Sequence, residues 1–267
     1  QDNFDFEWLI VDDGSTDNTK EYIDSILETA RFNISYYYQS NGGKHRAINK
    51  GVSLAKGDFF FIVDSDDYLL PNIIGTIASH LSGIYGDNNF AGISTLKTFS
   101  DGTPIGTYLP NGCLDVDYLA FGMHYGTGDY AEIYKTGILR KYPFPEFVDE
   151  KFCTEGLVWA RIAKKYKLRY LNFKTSVCEY LPGGLSDNSE ELIKRNPQAY
   201  LLYEKELIYS SRTSFVKKAG YLVRYWKYYK YCARHPKGEC APTFMMRLFY
   251  PIVYIIWVFK HQSLTVK

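Results

Sequence analysis

The sequence predicts an α/β protein with a mostly parallel sheet, flanking helices and a helical C-terminal tail. Three observations carry this. The apolar runs Phe6–Val11 and Phe59–Val63 each end abruptly in carboxylates. Helical periodicity fills the stretches between the strand-like runs, and from about Ser189 onward strand patterns cease. A short continuous apolar run describes a strand buried on both faces. Asp12, Asp13, Asp64, Asp66 and Asp67 cannot enter a core unpaired, so they belong at strand ends.

Taken in order, Phe6–Val11 is a buried strand followed by Asp12-Asp13-Gly14-Ser15-Thr16-Asp17. A helix starts near Asp17 to Thr19, among residues that cap helices, and carries Tyr22, Ile23, Ile26 and Leu27 at helical spacing. Ile34–Tyr38 is a second strand. Asn41-Gly42-Gly43 leads from it into a helix with Ala47, Ile48, Val52 and Ala55, which Gly57 closes as its C′ residue. The third strand, Phe59–Val63, completes a β-α-β-α-β order, which implies parallel pairing and right-handed crossovers. In such sheets ligands bind beyond the carboxyl ends of strands, so the two acidic clusters should share one crevice.

The remainder alternates less regularly. A helix from Pro71 to about Leu81 and a strand from Ala91 to Phe99 come next, and Ser100–Pro104 marks a hairpin turn. Tyr108–Tyr134 contains Gly112, Gly122, Gly126 and Gly128 and reads as loop-rich, with Asp129 in it. Glu155 opens a helix containing Leu157, Val158, Arg161 and Ile162; at that position a Glu also suits the helix dipole. Short strands at Leu168–Phe173 and Ser176–Leu181 precede Pro182-Gly183-Gly184-Leu185. The tail reads as helices interrupted at Pro197, Pro236, Pro242 and Pro251, which divides the chain into a 1–185 domain and a 186–267 helical region.

At 267 residues, 46% hydrophobic and 23% charged, the chain is an ordinary globular protein able to bury a substantial core. Its net charge of +1 predicts no general affinity for nucleic acid. The charge is unevenly spread: Leu207–Gly238 holds eight Lys or Arg and no acid. With the tyrosines of that stretch and the apolar run Phe244–Phe259, it reads either as a peripheral anchor on an anionic membrane or as helices with solvated cations packed on the rest. The apolar run is too short for a spanning helix, which needs about 20 residues. Five cysteines without a CxxC pair argue for free thiols in a reducing compartment. No signal peptide opens the chain, which begins at Gln1 almost within a strand, as in the middle of a domain.

Asp-Ser-Asp-Asp alone describes a solvated turn, and it lacks the glycine and distal Glu of an EF-hand loop. The whole pattern resembles the family 2 glycosyltransferases of the GT-A fold. The matching pieces are Asp12-Asp13-Gly14-Ser15-Thr16-Asp17, Asn41-Gly42-Gly43, Ala55-Lys56-Gly57-Asp58 before Asp64-Ser65-Asp66-Asp67, and Glu155-Gly156-Leu157-Val158-Trp159. The resemblance spans about residues 4 to 185 and is most specific in the first seventy. It implies a family strand before Gln1, so the expectation is that the sequence is N-terminally truncated or, failing that, that the chain cannot form the whole nucleotide pocket.

The resemblance implies donor binding by Asp12, Asp13, Lys44, Asp64 and Asp66, with Lys44 near the phosphates. It implies a DxD motif at Asp64-Ser65-Asp66 holding Mn²⁺ or Mg²⁺, with Asp66 the main ligand and Asp64 and Asp67 secondary. Glu155 aligns with the catalytic base, although Gly156 departs from the family's acidic pair, and Asp129 is the reserve. The implied activity is metal-dependent, inverting transfer of a single sugar from a nucleotide sugar, a UDP-sugar first, to a glycan or lipid-linked acceptor. No Gln-x-x-Arg-Trp motif of processive synthases is present. The expected setting is bacterial surface polysaccharide synthesis, cytoplasmic or peripheral on the inner face of the plasma membrane. A nucleotidyltransferase and an inactive nucleotide-sugar-binding relative are the alternatives.

Overall fold

The computed structural model describes residues 1, 3–179, 189–232 and 238–262. The Pro182–Leu185 turn, the 185/186 boundary and Pro236 lie outside the described residues. The chain forms two compact units, Gln1–Phe144 with Val158–Pro182, and Pro145–Leu157 with Gly183–Lys267.

The first unit opens with β1 (Glu7–Asp12), α1 (Thr19–Leu27), β2 (Asn33–Tyr38), α2 (Lys44–Leu54) and β3 (Phe59–Phe61). β1 and β2 pair in parallel from Glu7↔Asn33 to Asp12↔Tyr38, as the βαβ order requires. The third strand departs from expectation. It is three residues long, Val63 is exposed, and β3 pairs antiparallel with a strand far along the chain. The chain leaves the sheet two residues before the first carboxylate, which lets Asp64 reach solvent.

Next come β4 (Tyr68–Leu69), α3 (Ile73–Ser82), β5 (Phe90–Thr98), β6 (Cys113–Val116), α4 (Tyr118–His124), β7 (Tyr130–Lys135), α5 (Thr136–Leu139), α6 (Glu155–Ala163) and β8 (Lys167–Val177). The main sheet runs β3-β7-β5-β8-β4, with β6 also on β8. Only the β5–β8 pair in it is parallel; β3–β7, β5–β7, β4–β8 and β6–β8 are antiparallel. The sheet is therefore mixed, its neighbours being strands distant in the chain rather than successive βαβ units.

Three further expectations are corrected. The two short strands after α6 are one eleven-residue strand, β8, whose register shifts against β5 mark the irregularities that read as a break. The 108–134 segment contains β6, α4 and most of β7, the helix capped by the buried Asp117, which accepts from the Ala120 amide at 3.1 Å. Gly57 does not close α2: the helix ends at Leu54, Ala55 is already extended, and the Lys56 and Gly57 amides donate to Glu7 Oε1 at 2.5 and 3.0 Å. The hairpin turn is present, with a Thr98↔Pro104 bridge. Ile73, Ile77, Leu81, Ile84, Ile93 and Ile133 form the core between α3 and the sheet.

The second unit is helical: α7 (Ser189–Arg195), α8 (Pro197–Tyr209), α9 (Phe215–Tyr229), a 3-10 turn at Gly238–Cys240, and α10 (Phe244–Gln262). Pro197 starts α8 as its first residue, where a missing N–H costs nothing, and Glu150 takes the Gln198 and Ala199 amides at 2.7 and 3.0 Å. Pro251 lies inside α10 rather than interrupting it. No helix among the described residues is long and apolar enough to cross a membrane. The five cysteines are free.

Candidate active site

The acidic ends of β1 and β3 are organised differently. Asp12 is buried; its Oδ1 accepts from the Ser15 amide at 2.7 Å and its Oδ2 from the Tyr36 hydroxyl at 2.5 Å. Burial works to raise the Asp12 pKa, but these bonds outweigh it and hold the carboxyl below its usual value. The same bond pushes the Tyr36 phenol up to about 12. Asp13 Oδ1 accepts from Gln39 Nε2 at 2.7 Å and the Gly42 amide at 2.9 Å, and its Oδ2 from the Gly43 amide at 2.6 Å. Gly14 lets the chain turn here: its φ is +86°, and a Cβ would lie 2.7 Å from the Asn41 nitrogen.

One dipeptide joins the two ends. Gly43 donates to Asp13, and the next residue, Lys44, places its ammonium 2.5 Å from Asp64 Oδ1. The two acidic clusters thus come together, but through Lys44 rather than through a shared parallel sheet: β1 and β2 form a two-stranded sheet of their own, and β3 pairs with β7. Asp64, with its side chain 31% exposed, and the exposed Asp66 lie on the turn, while the Asp67 side chain is only 7% exposed.

Asp67 meets two residues that the sequence reading missed. Lys97 Nζ on β5 lies 3.2 Å from Asp67 Oδ2 and 3.3 Å from Asp129 Oδ2. Cys178, just past β8, donates its S–H to the same Asp67 oxygen at 3.0 Å. Burial pulls the Lys97 pKa down, but the carboxylates of Asp129 first, then Asp67 and Asp64, more than reverse this, and the ammonium is held charged. Burial, and then the bond to Asp67, push the Cys178 thiol up to about 12, so it remains an S–H donor. A lysine inside the otherwise uncharged strand 90–98 was the available signal, since a buried ammonium demands carboxylate partners.

Asp129 has one carboxylate oxygen on Lys97 and a half-exposed side chain. Gly128 precedes it with φ +112°, and a Cβ there would approach the Ile105 carbonyl oxygen to 2.2 Å, so only glycine delivers Asp129 to this position. Glu155 opens α6 and belongs to the second unit. Among the described residues no three His, Cys, Asp or Glu form a metal cage. Asp64 and Asp66 are hard oxygen donors of the kind that bind Mg²⁺ or Mn²⁺ together with phosphate oxygens, so the donor set fits such an ion.

The profile of glycosyl transferase family 2 matches residues 1–94, the segment containing both acidic strand ends. Residues 1–94 thus carry the sequence pattern of glycosyl transferase family 2. Within this family region the chain is 41% identical over 71 residues to glycosyltransferase GlyG of Streptococcus pneumoniae, covering 27% of this chain and 24% of that protein. An uncharacterized glycosyltransferase of Mycoplasma pneumoniae is 40% identical over 75 residues, 27% of this chain and 25% of its own length. The chain thus spans about a quarter of the curated relatives it matches.

Beyond the family 2 region the likeness is one of fold. The Staphylococcus aureus TarS 1–349 structure in complex with UDP-GlcNAc superimposes with a TM-score of 0.59 at 18% identity, covering 93% of this chain and 70% of that one. The fold is the GT-A architecture of those structures, with a helical C-terminal region.

Proposed function

We propose that the chain transfers a single sugar from a nucleotide sugar, a UDP-sugar first, to a glycan or lipid-linked acceptor in bacterial surface polysaccharide synthesis. The carrying observation is the junction of two acidic strand ends by Gly43-Lys44 within the family 2 region. The TarS relative, 29% identical over 82 residues, is named as a poly(ribitol-phosphate) β-N-acetylglucosaminyltransferase, which supports a surface-glycan setting.

In this reading Asp66 and Asp64 hold Mn²⁺ or Mg²⁺, which supplies charge neutralisation on the diphosphate leaving group. Lys44 stands on Asp64, within reach of phosphate oxygens that replace the carboxylate as its partner. Asp12 and Asp13 brace the turn that faces the nucleoside. The bond from C1 to the phosphate oxygen breaks, the acceptor oxygen bonds C1 from the opposite face, and a carboxylate takes the hydroxyl proton. Glu155 is the base that the family pattern indicates, and Asp129 is the alternative. Asp67 is assigned a structural role because Lys97 and Cys178 already occupy it.

The test is sugar transfer and nucleotide-sugar hydrolysis with Mn²⁺ across a donor panel. Asp66→Ala should abolish metal-dependent turnover while thermal unfolding is unchanged. Of Glu155→Gln and Asp129→Asn, the base variant should lose roughly 10²- to 10⁴-fold in turnover with nucleotide-sugar binding retained. Unchanged turnover in Asp66→Ala overturns the assignment. We further place the protein in the cytoplasm at the inner face of the plasma membrane.

A further inference from the structure

The basic stretch and the last apolar helix recognised in the sequence take no part in the chemistry above, and they share one surface of the second unit. Residues 207–267 contain eleven Lys or Arg and a single acid, Glu239, whereas residues 1–206 contain twenty and twenty-nine. The positive charge of a nearly neutral protein is therefore concentrated in the segment that forms α9 and α10.

The same helices expose apolar side chains in helical register. On α10, Phe244, Leu248, Phe249, Ile252 and Ile255 are all exposed, at spacings that put them on one side of the helix. At the start of α9, Phe215 is 82% and Val216 70% exposed. Between them runs an apolar groove of about 180 Å³, with Phe215, Lys218 and Leu222 of α9 on one wall and Met245, Phe249 and Val253 of α10 on the other. The end of α8 closes it, and among the described residues Lys218 is the only charged one in its lining.

We propose that this face docks on an anionic lipid surface and that the groove takes one acyl chain, with the lipid phosphate on Lys218. An apolar row alone would suit a second copy of the chain equally well. The charge decides against that: two such faces would bring two strongly cationic segments together, whereas an anionic bilayer neutralises them. A single cation at the edge of an otherwise apolar groove matches the chemistry of a phospholipid, whose one anionic group adjoins its chains. Met245 and Met246, flexible and polarisable, suit chains of variable shape.

This inference rests on the reading that the protein works at a membrane face, and the experiment separates the two. The full chain is floated with vesicles of phosphatidylcholine alone and of phosphatidylcholine mixed with phosphatidylglycerol, the latter carrying a photoreactive group in one acyl chain. Binding is expected to the mixed vesicles only, to weaken as salt is raised, and to fall at least ~10-fold in a Lys217→Glu/Lys218→Glu variant. Crosslinks should map to Leu222, Met245 and Phe249. Binding with crosslinks confined to Leu248, Ile252 and Ile255 leaves membrane docking standing and overturns the groove as an acyl site. No binding to either vesicle overturns both, and a vesicle-indifferent dimer by light scattering overturns them in favour of a second copy.

Discussion

Two buried carboxylates in this molecule are each held by a cation, and they differ in what the cation has left over. In the first unit Lys97, its side chain 12% exposed, holds Asp67 and also reaches the half-exposed Asp129. In the second unit Arg224, 45% exposed, holds the buried Glu204 at 2.9 Å and stacks over the Tyr221 ring at 4.6 Å. Arg224 braces α9 on α8 and offers no second carboxylate to a ligand. Lys97 is buried where the carboxylate beyond it faces solvent. A buried pair that closes on itself is a brace; a pair with an open third member can position a reacting group.

The largest expected effect tests the open pair. If Asp129 rather than Glu155 is the base, Lys97→Met should lower kcat by about 10²-fold, as a displaced catalytic group does, with little change in donor KM, and Lys97→Arg should recover part of the loss. Steady-state kinetics decide it. A variant that only melts earlier, with kcat intact, would make Lys97 a second brace.

Arg224→Met should do the opposite. It strands a buried charge and should cost about 2 kcal/mol of stability, below the fully buried range because solvent screens much of Arg224, with turnover per folded molecule unchanged. Burial raises the Glu204 pKa above the ordinary Glu value even with Arg224 beside it. The folded state then holds a proton that the unfolded state has released, so stability falls as pH rises through that window. Without Arg224 the fall should be steeper, which denaturant melts across the acid range will read.

The smallest effect belongs to a carboxylate held by a neutral donor. Tyr36→Phe removes the hydroxyl bond to Asp12 and should cost about 1 kcal/mol. Because the folded Asp12 pKa is depressed, its contribution is present above the ordinary Asp range and lost as pH falls through the depressed value. In the variant the contribution shrinks, and acid unfolding should begin at a higher pH.

The opening β-α-β-α-β order was legible because both signals it needs are local: an apolar run ending in Asp12-Asp13 or Asp64, and helical spacing between. The acidic ends do meet, but β1 and β3 lie in different sheets, so the parallel pairing on which that expectation rested is not what joins them. The antiparallel pairing of β3 was not legible, because Phe59–Phe61 find their partners at Ile133–Lys135, and nothing in a three-residue run specifies a direction. The same holds for Asp67. In sequence it is one of three equivalent carboxylates, and only the return of β8 brings Cys178 beside it while β5 brings Lys97. Long-range partners, unlike strand ends and caps, leave no periodic trace.

The partition of charge along the chain has a practical consequence. A net charge of +1 and an isoelectric point near 7.7 describe a sum of two large opposites. In dilute buffer, oppositely charged segments of different copies attract, so the protein should cloud at low ionic strength and clear as salt is added. Resins of either sign should retain it, and its handling will follow the local fields rather than their total.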